Sequence, residues 1–238
     1  MNELFASTRN LADALRDLEF AAPVCCVYRP LDYAWQPYRR YLENFGRGTK
    51  RVLLLGMNPG PFGMAQTGVP FGEVTAVRNW MGIEEPVGRP SNEHAKRPVE
   101  GFLCQRSEVS GRRLWGLFAQ RFGTATAFFH DHFVLNYCPL VWMSASGANL
   151  TPDKLPATEM APVEQACLKH LTELIVLMDP AFLIGVGAFA EERLQRAAAA
   201  CGSTARLGRI LHPSPASPAA NRGWAQAASR QLAELGVW

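Results

Sequence analysis

The sequence predicts an α/β fold, three layers deep, with helices on both sides of a central, mostly parallel four-stranded sheet. Three observations predict it. Aliphatic, strand-length runs alternate with segments of helical period along the 238 residues. The run at 52–55, Val-Leu-Leu-Leu, is continuous rather than alternating and ends at a glycine, as strands buried on both faces do. And polar side chains fall just past the ends of such runs, where open parallel sheets bind ligands.

Taken in order, residues 2–20 repeat Leu4, Leu11, Leu15 and Leu18 at helical spacing, and Ala22-Pro23 closes the segment. An aromatic-rich stretch at 33–45 contains Pro37, so its helix is predicted to begin near that proline and to end before Gly46. The strand at 52–55 follows. Residues 61–106 are rich in Gly and Pro, with helical spacing only at 74–81. Phe62, Phe71, Trp80 and Phe102 argue that this long loop is ordered. A helix at 112–122 stops at Gly123, and a strand at 133–137 ends at Cys138-Pro139. A long helix at 162–178, a strand at 181–187 and an Ala-rich helix stopped by Gly202 come next. The strand-like 206–211 leads into His212-Pro213 and a last helix capped by Gly236. No internal repeat or low-complexity linker divides the chain, so one domain over residues 1–238 is expected.

With 48% hydrophobic and 19% charged residues, the chain can bury a large core. Its net charge of +3 says little about partners. A local excess says more: Arg89, Lys96, Arg97, Arg106, Arg112 and Arg113 stand against Glu93, Glu100 and Glu108, which reads either as a solvated charged face or as a surface for a polyanion. The six cysteines are scattered, without a CxxC pair or a His at zinc spacing, so no metal, cluster or other cofactor is expected. Cys25 and Cys26 read as small buried apolar residues in a reducing cytoplasm. No leader-like segment opens the chain and no apolar run is long enough for a bilayer, so no membrane partner is expected.

The residues at or beyond the predicted strand ends are Asn58, Asn136 and His212, with Gly185 and Gly187 after the third strand. Each polar one has a proline close by: Pro59 directly after Asn58, the Cys138-Pro139 pair beginning two residues past Asn136, and Pro213 directly after His212. Residues before proline are held extended and proline fixes its own φ, so these loops present side chains with little freedom. Preorganised donors suit a site that must meet developing charge without rearranging. Several chemistries fall away. There is no G-x-S-x-G elbow, although Ser214 and Ser217 follow the histidine. "GVGAFA" holds only two glycines of the dinucleotide fingerprint. The zinc deaminase signature is absent. The candidate loops lack a pair of carboxylates, Glu73 being the nearest acid, which disfavours a two-carboxylate glycosidase.

"GMNPGPFGMAQTGVPFGEV" and "HPSPASPAANRGW" closely resemble the two signature motifs of the single-strand-selective monofunctional uracil-DNA glycosylases, within the uracil-DNA glycosylase superfamily. The likeness continues through "VRNWMGI", "KRPVEGF", "SEVSGRRLWG" and "NYCPL". It implies a uracil-DNA glycosylase-like fold and a monofunctional hydrolase of base excision repair. Such an enzyme cuts the N-glycosidic bond of uracil, 5-hydroxymethyluracil or xanthine in single- and double-stranded DNA and leaves an abasic site. By resemblance, Asn58 positions the attacking water and His212 donates toward the uracil carbonyl that gathers charge. Asn136 reads the polar edge of the base, Phe71 stacks on its face, Met57 lines the pocket, and Gly60 leaves room for 5-substituents. Ser214, Pro215, Ala216, Ser217 and Arg222 are assigned to DNA. Ala216 and Ser217 are smaller than the wedge residues of relatives, which implies a stronger preference for single-stranded or mismatched substrate. Ser217 and Pro218 are expected to start the last helix, its N–H groups facing a phosphate.

Two other readings compete: a non-catalytic single-stranded nucleic-acid-binding module, and an enzyme of free nucleotides on the same sheet. The expected partner is damaged DNA, bound by a monomer. The expected location is a prokaryotic cytoplasm, associated with the nucleoid, or the nucleus in a eukaryote.

Overall fold

A computed structural model describes residues 1–238. Helix α1 (Asn2–Arg16) buries Leu4, Leu11, Ala12 and Leu15 on one face and ends short of the expected residue 20, with Leu18 still packed on the core. A short strand β1 (Cys26–Tyr28) leads through α2 (Pro30–Tyr33) into α3 (Trp35–Phe45). Helix α3 begins ahead of Pro37, which occupies the first turn, where backbone N–H groups have no intrahelical partner to lose. Strand β2 (Val52–Gly56) is buried at every residue.

The long loop is ordered around α4 (Met64–Thr67), a five-residue π-type turn at Ala76–Trp80 and a 3-10 turn at Gly101–Leu103. Helix α5 (Val109–Phe122) stops at Gly123, whose φ of 72° suits glycine. Helix α6 (Ala125–Asp131), which the sequence reading did not separate, starts where Thr124 accepts from the Ala127 N–H at 3.2 Å. Strand β3 (His132–Asn136) follows, then β4 (Val141–Met143) and β5 (Asn149–Leu150). Helix α7 (Ala157–Met178) starts earlier than the predicted 162. Pro162 lies inside it, close enough to the N-terminus that only one early hydrogen bond is lost, and Ala157, Glu159, Met160 and Ala161 ahead of it are good helix formers. Strand β6 (Phe182–Val186), helix α8 (Ala188–Cys201), ended by Gly202, strand β7 (Arg206–Ile210), α9 (Pro218–Asn221) and α10 (Trp224–Glu234) complete the chain.

The main sheet has four strands in the order β3-β2-β6-β7, every pair parallel. Helix α8 packs on β6 and β7, α7 on α8, and α1 on α7, while α10 joins β7 to α5. A second, antiparallel sheet, β1-β4-β5, was not anticipated. One apolar cluster of 57 buried residues runs from Leu4 to Val237. Cys26 is buried as expected, whereas its neighbour Cys25 is exposed; all the cysteines are free thiols. No helix is long and apolar enough to cross a membrane.

Burial also neutralises two histidines. His132 stacks on Phe128, and His170 accepts or donates at Ser7 Oγ over 2.7 Å, linking α1 to α7. Desolvation lowers both to about 4. In the unfolded chain each binds a proton near 6.5, so their stabilising share is complete above that pH and is lost as pH falls toward 4. Urea midpoints measured from pH 7 to pH 4 should therefore fall less steeply in His170→Gln than in the parent.

Candidate active site

Strand register brings the first site residues together. Gly56 and Asn136 are paired at the ends of β2 and β3. The ladder then runs one step further, Tyr137 N donating to Gly56 O at 2.9 Å and Cys138 N to Met57 O at 3.0 Å. A Cβ on Gly56 would lie 2.5 Å from both Asn136 Oδ1 and Phe71 Cε2, so only glycine lets the amide and the ring close over this strand end. Phe71 sits in left-handed backbone, φ 51°, a conformation costing about 1–3 kcal/mol for a side chain of this size. Two contacts hold it there. Trp115 Nε1 donates to Phe71 O at 2.9 Å, and Gly111, on the same helix, lacks the Cβ that would overlap that carbonyl.

The Phe71 ring lies 6.4 Å from the His212 imidazole, tilted by 43°. Gly187, φ 96°, packs directly on the histidine: a Cβ there would be 3.2 Å from His212 Cβ. The carboxyl ends of β2, β3, β6 and β7 thus converge on Phe71, Asn136 and His212. The sequence reading placed Asn136 and His212 at these ends, and the resemblance added Phe71.

His212 is fixed from behind by residues the sequence reading missed. Leu211 N donates to Gln231 Oε1 at 2.8 Å and Trp224 Nε1 donates to Leu211 O at 2.6 Å, so α10 holds the preceding residue at both of its backbone polar groups. Arg113 Nη1 donates to Pro213 O at 2.9 Å, and its Nη2 to Asn221 Oδ1 at 2.9 Å. Asn221 Nδ2 in turn donates to Pro215 O at 2.9 Å. Arg113 therefore clamps the loop, both of its terminal guanidinium nitrogens being bonded within the protein. Loss of one charge-assisted hydrogen bond costs about 1.5–3 kcal/mol, so Arg113→Ala should speed amide hydrogen exchange over residues 213–221 by on the order of tenfold or more. Unchanged exchange would remove the clamp.

Ser214 N donates to His212 Nδ1 at 3.1 Å, which leaves the ring proton on Nε2. Desolvation lowers the imidazole pKa below its usual value, so His212 is a neutral donor at pH 7. Of the residues assigned to DNA, Pro215, Ala216 and Arg222 are exposed, and Ser214 and Ser217 are half-buried. Ser217 does cap a helix, its Oγ accepting from Ala220 N at 3.4 Å, but that helix is the four-residue α9. Gly223, φ 133°, breaks the chain before α10, which corrects the expectation of one last helix beginning at Pro218.

Asn58 is tethered by its amide nitrogen, Nδ2 donating to Leu140 O at 3.3 Å and to Pro59 O at 3.4 Å. Its Oδ1 is buried without a partner. Asn149, which the sequence reading did not single out, shows the same arrangement. Its Nδ2 reaches Pro59 O at 3.4 Å and its Oδ1 is likewise orphaned. Asn136 Nδ2 meets Met64 Sδ at 3.5 Å, a weak acceptor that a carbonyl oxygen would outcompete. Gln66, fully buried, ties the loop together: it donates to Pro61 O and Pro98 O and accepts from Glu100 N and Gly101 N.

Met57 and Gly60 are half-buried on this loop. Behind Gly60 stands Glu108, half-buried as a residue but with Oε2 shut off from solvent and unpartnered. Its pKa is raised to about 7 by desolvation and by the nearby Glu73 carboxylate. Glu108 works against the histidines in the stability balance: its share is present below pH 4.5 and lost as pH climbs to about 7.

Of the remaining basic patch, Arg97 and Arg106 stand over the Phe62 ring at 5.4 and 5.1 Å, Arg89 pairs with Glu93, and Lys96, Arg106 and Arg112 are exposed. No group of three or more His, Cys, Asp or Glu side chains is arranged to hold a metal ion. A surface hollow of about 580 Å³ is lined by Thr49, Lys50, Arg51, Asp131 and Ala181 at the opposite, amino-terminal edge of the sheet, away from this convergence.

The uracil DNA glycosylase superfamily model matches residues 43–234. The single-strand selective monofunctional uracil DNA glycosylase of Bos taurus is 48% identical over 227 residues, covering 95% of this chain and 84% of the relative. The Mus musculus and Rattus norvegicus proteins of the same name are 48% and 49% identical over 223 residues, each covering 94% of this chain and 80% of the relative. The crystal structure of wild-type Pedobacter heparinus SMUG2 superposes with a TM-score of 0.67 at 16% identity, covering 97% of both chains, a likeness of fold. On its sequence, its four-stranded parallel sheet and these matches, the chain belongs to the uracil DNA glycosylase superfamily and, within it, to the single-strand-selective monofunctional uracil-DNA glycosylases.

Proposed function

We propose that this protein hydrolyses the N-glycosidic bond of uracil, 5-hydroxymethyluracil and deaminated purines such as xanthine in DNA, acting as a monomer without metal and leaving an abasic site. The observation that carries this reading is the convergence of Asn136, Phe71 and His212 over Gly56 and Gly187, which is the set of contacts one flipped pyrimidine needs.

The chemistry follows from the groups present. A base leaves the stack at a cost of a few kcal/mol, smallest in single strands and mispairs, and stacking on Phe71 returns about 1–3 kcal/mol. The Asn136 amide can accept from the base N3–H and donate to its O4 carbonyl, giving up the sulfur of Met64. As the bond to the sugar breaks, negative charge collects on the base, and the Nε2–H of neutral His212 stabilises it. The sugar, left oxocarbenium-like, needs only a positioned water and no strong base. Asn58 Oδ1, anchored through its own nitrogen and lacking a partner, is the acceptor that orients this water.

Ala216 is exposed and small, so little fills the space a flipped base vacates in a duplex. Single-stranded or mismatched uracil is therefore the preferred substrate. The exposed Lys96, Arg106 and Arg112 supply phosphate contacts and a steep loss of binding with salt. A competition series of oligonucleotides carrying uracil, 5-hydroxymethyluracil, xanthine or hypoxanthine, each single-stranded and paired, tests the reading. Faster release from single strands and release of the 5-substituted base support it. Equal rates on paired and single-stranded uracil, or uracil alone as substrate, would correct it.

A further inference from the structure

Asn149 repeats the bonding of Asn58. Both side chains donate through Nδ2 to the same atom, Pro59 O, each at 3.4 Å, and both leave Oδ1 buried with no partner in the chain. A side-chain amide is planar and a single carbon separates its nitrogen from its oxygen, so anchoring two nitrogens on one carbonyl confines both oxygens to its surroundings. Each buried amide oxygen is an acceptor that is costly to leave unmade. Two acceptors around one point call for a group with two donors, and water is the smallest such group.

The second sheet brings the two amides together. Asn149 opens β5 and is paired with Met143 of β4. Leu140, immediately ahead of β4, supplies the carbonyl that takes the other bond from Asn58 Nδ2 at 3.3 Å. The β4-β5 turn is closed by Ser144 N on Ala148 O at 3.0 Å and Gly147 N on Ser144 O at 2.8 Å, and Arg97 Nε donates to Gly147 O at 2.9 Å. One hairpin therefore tethers Asn58 and carries Asn149.

We propose that Asn149 is a second catalytic residue of the water site, its Oδ1 accepting one hydrogen of the attacking water while Asn58 Oδ1 accepts the other. The inference rests on the glycosylase reading above, in which Asn58 orients that water. With both hydrogens engaged, a lone pair of the water oxygen is left to face the anomeric carbon of the sugar. That pair forms the new C–O bond as the bond to the base breaks and its electrons go to the base. The attached water then gives one proton to solvent, and the departed base anion takes one from solvent. Neither amide keeps a proton.

The test follows single-turnover release of uracil from a single-stranded oligonucleotide, in water and in water with methanol, for the parent, Asn149→Ala and Asn149→Asp. The products scored are the abasic sugar and its methyl glycoside. Methanol has one O–H and satisfies only one of the two acceptors, so the parent should form little methyl glycoside. In Asn149→Ala release should slow about tenfold, the worth of one good hydrogen bond. Its methyl glycoside share should rise severalfold, which a structural role for Asn149 would not produce. Asn149→Asp keeps the oxygen and should recover part of the rate and the parental product ratio. In the double variant of Asn58→Ala with Asn149→Ala the two losses should not multiply, because both residues act on one water. If Asn149→Ala does not fold, Asn149→Ser, whose hydroxyl stops one bond short of where Oδ1 stands, takes its place. Release at the parental rate, or slower release with an unchanged methyl glycoside share, overturns the inference while leaving the glycosylase reading intact. A parent protein that releases no uracil defeats that reading and takes the inference with it.

Discussion

His212→Ala should release uracil about a hundredfold more slowly than the parent under single-turnover conditions, with DNA binding retained. Removing one preorganised donor at a developing anion costs roughly 3 kcal/mol of transition-state stabilisation. His212 is preorganised in two separable ways. Its peptide is gripped by Trp224, Gln231 and Arg113, and its tautomer is set by the Ser214 N–H on Nδ1. Because burial keeps the ring neutral, no protonation step precedes donation, so the rate should be flat from pH 7 to 8 and fall only where the imidazole charges, below its usual pKa. A bound but unaffected His212→Ala enzyme would remove the histidine from this role.

Asn58→Ala should lose a comparable factor, on the order of a hundredfold, for a different reason. Misplacing a nucleophile by about 1 Å can cost that much, and Asn58 Oδ1 is the orphaned acceptor at the end of β2. Asn58→Asp separates charge from placement, because it keeps the oxygen but gives up the Nδ2 bonds to Leu140 O and Pro59 O. Partial recovery in Asn58→Asp with none in Asn58→Ala would identify the oxygen as the working atom. Near-normal turnover in Asn58→Ala would exclude it.

How far these residues could be read from sequence depends on what kind of signal each carries. The strands β2, β3 and β6 were legible because parallel strands covered on both faces are written as aliphatic runs, and residues beside proline at their ends stand out. Strands β1, β4 and β5, each of two or three residues, are too short to show a period. The residues that hold the site were illegible for another reason. Trp224, Gln231, Arg113 and Trp115 lie in helices, where spacing reports which face is buried and not which distant carbonyl a side chain reaches. Asn149 and Glu108 show themselves only as buried oxygens without partners, a property of packing. The split of the C-terminal segment into α9 and α10 turns on Gly223 at φ 133°, one residue in a stretch that otherwise reads as helix.

The most direct trial of the central claim is a single-turnover reaction of the purified protein, in chelator, with a single-stranded oligonucleotide carrying one uracil, following both the free base and the strand. Geometry that brings an amide, a ring and an imidazole around one pyrimidine predicts stoichiometric free uracil and a strand that stays intact until alkali breaks it at the abasic position. Tight binding with no free uracil would contradict the claim, and a strand cut without alkali would contradict simple hydrolysis.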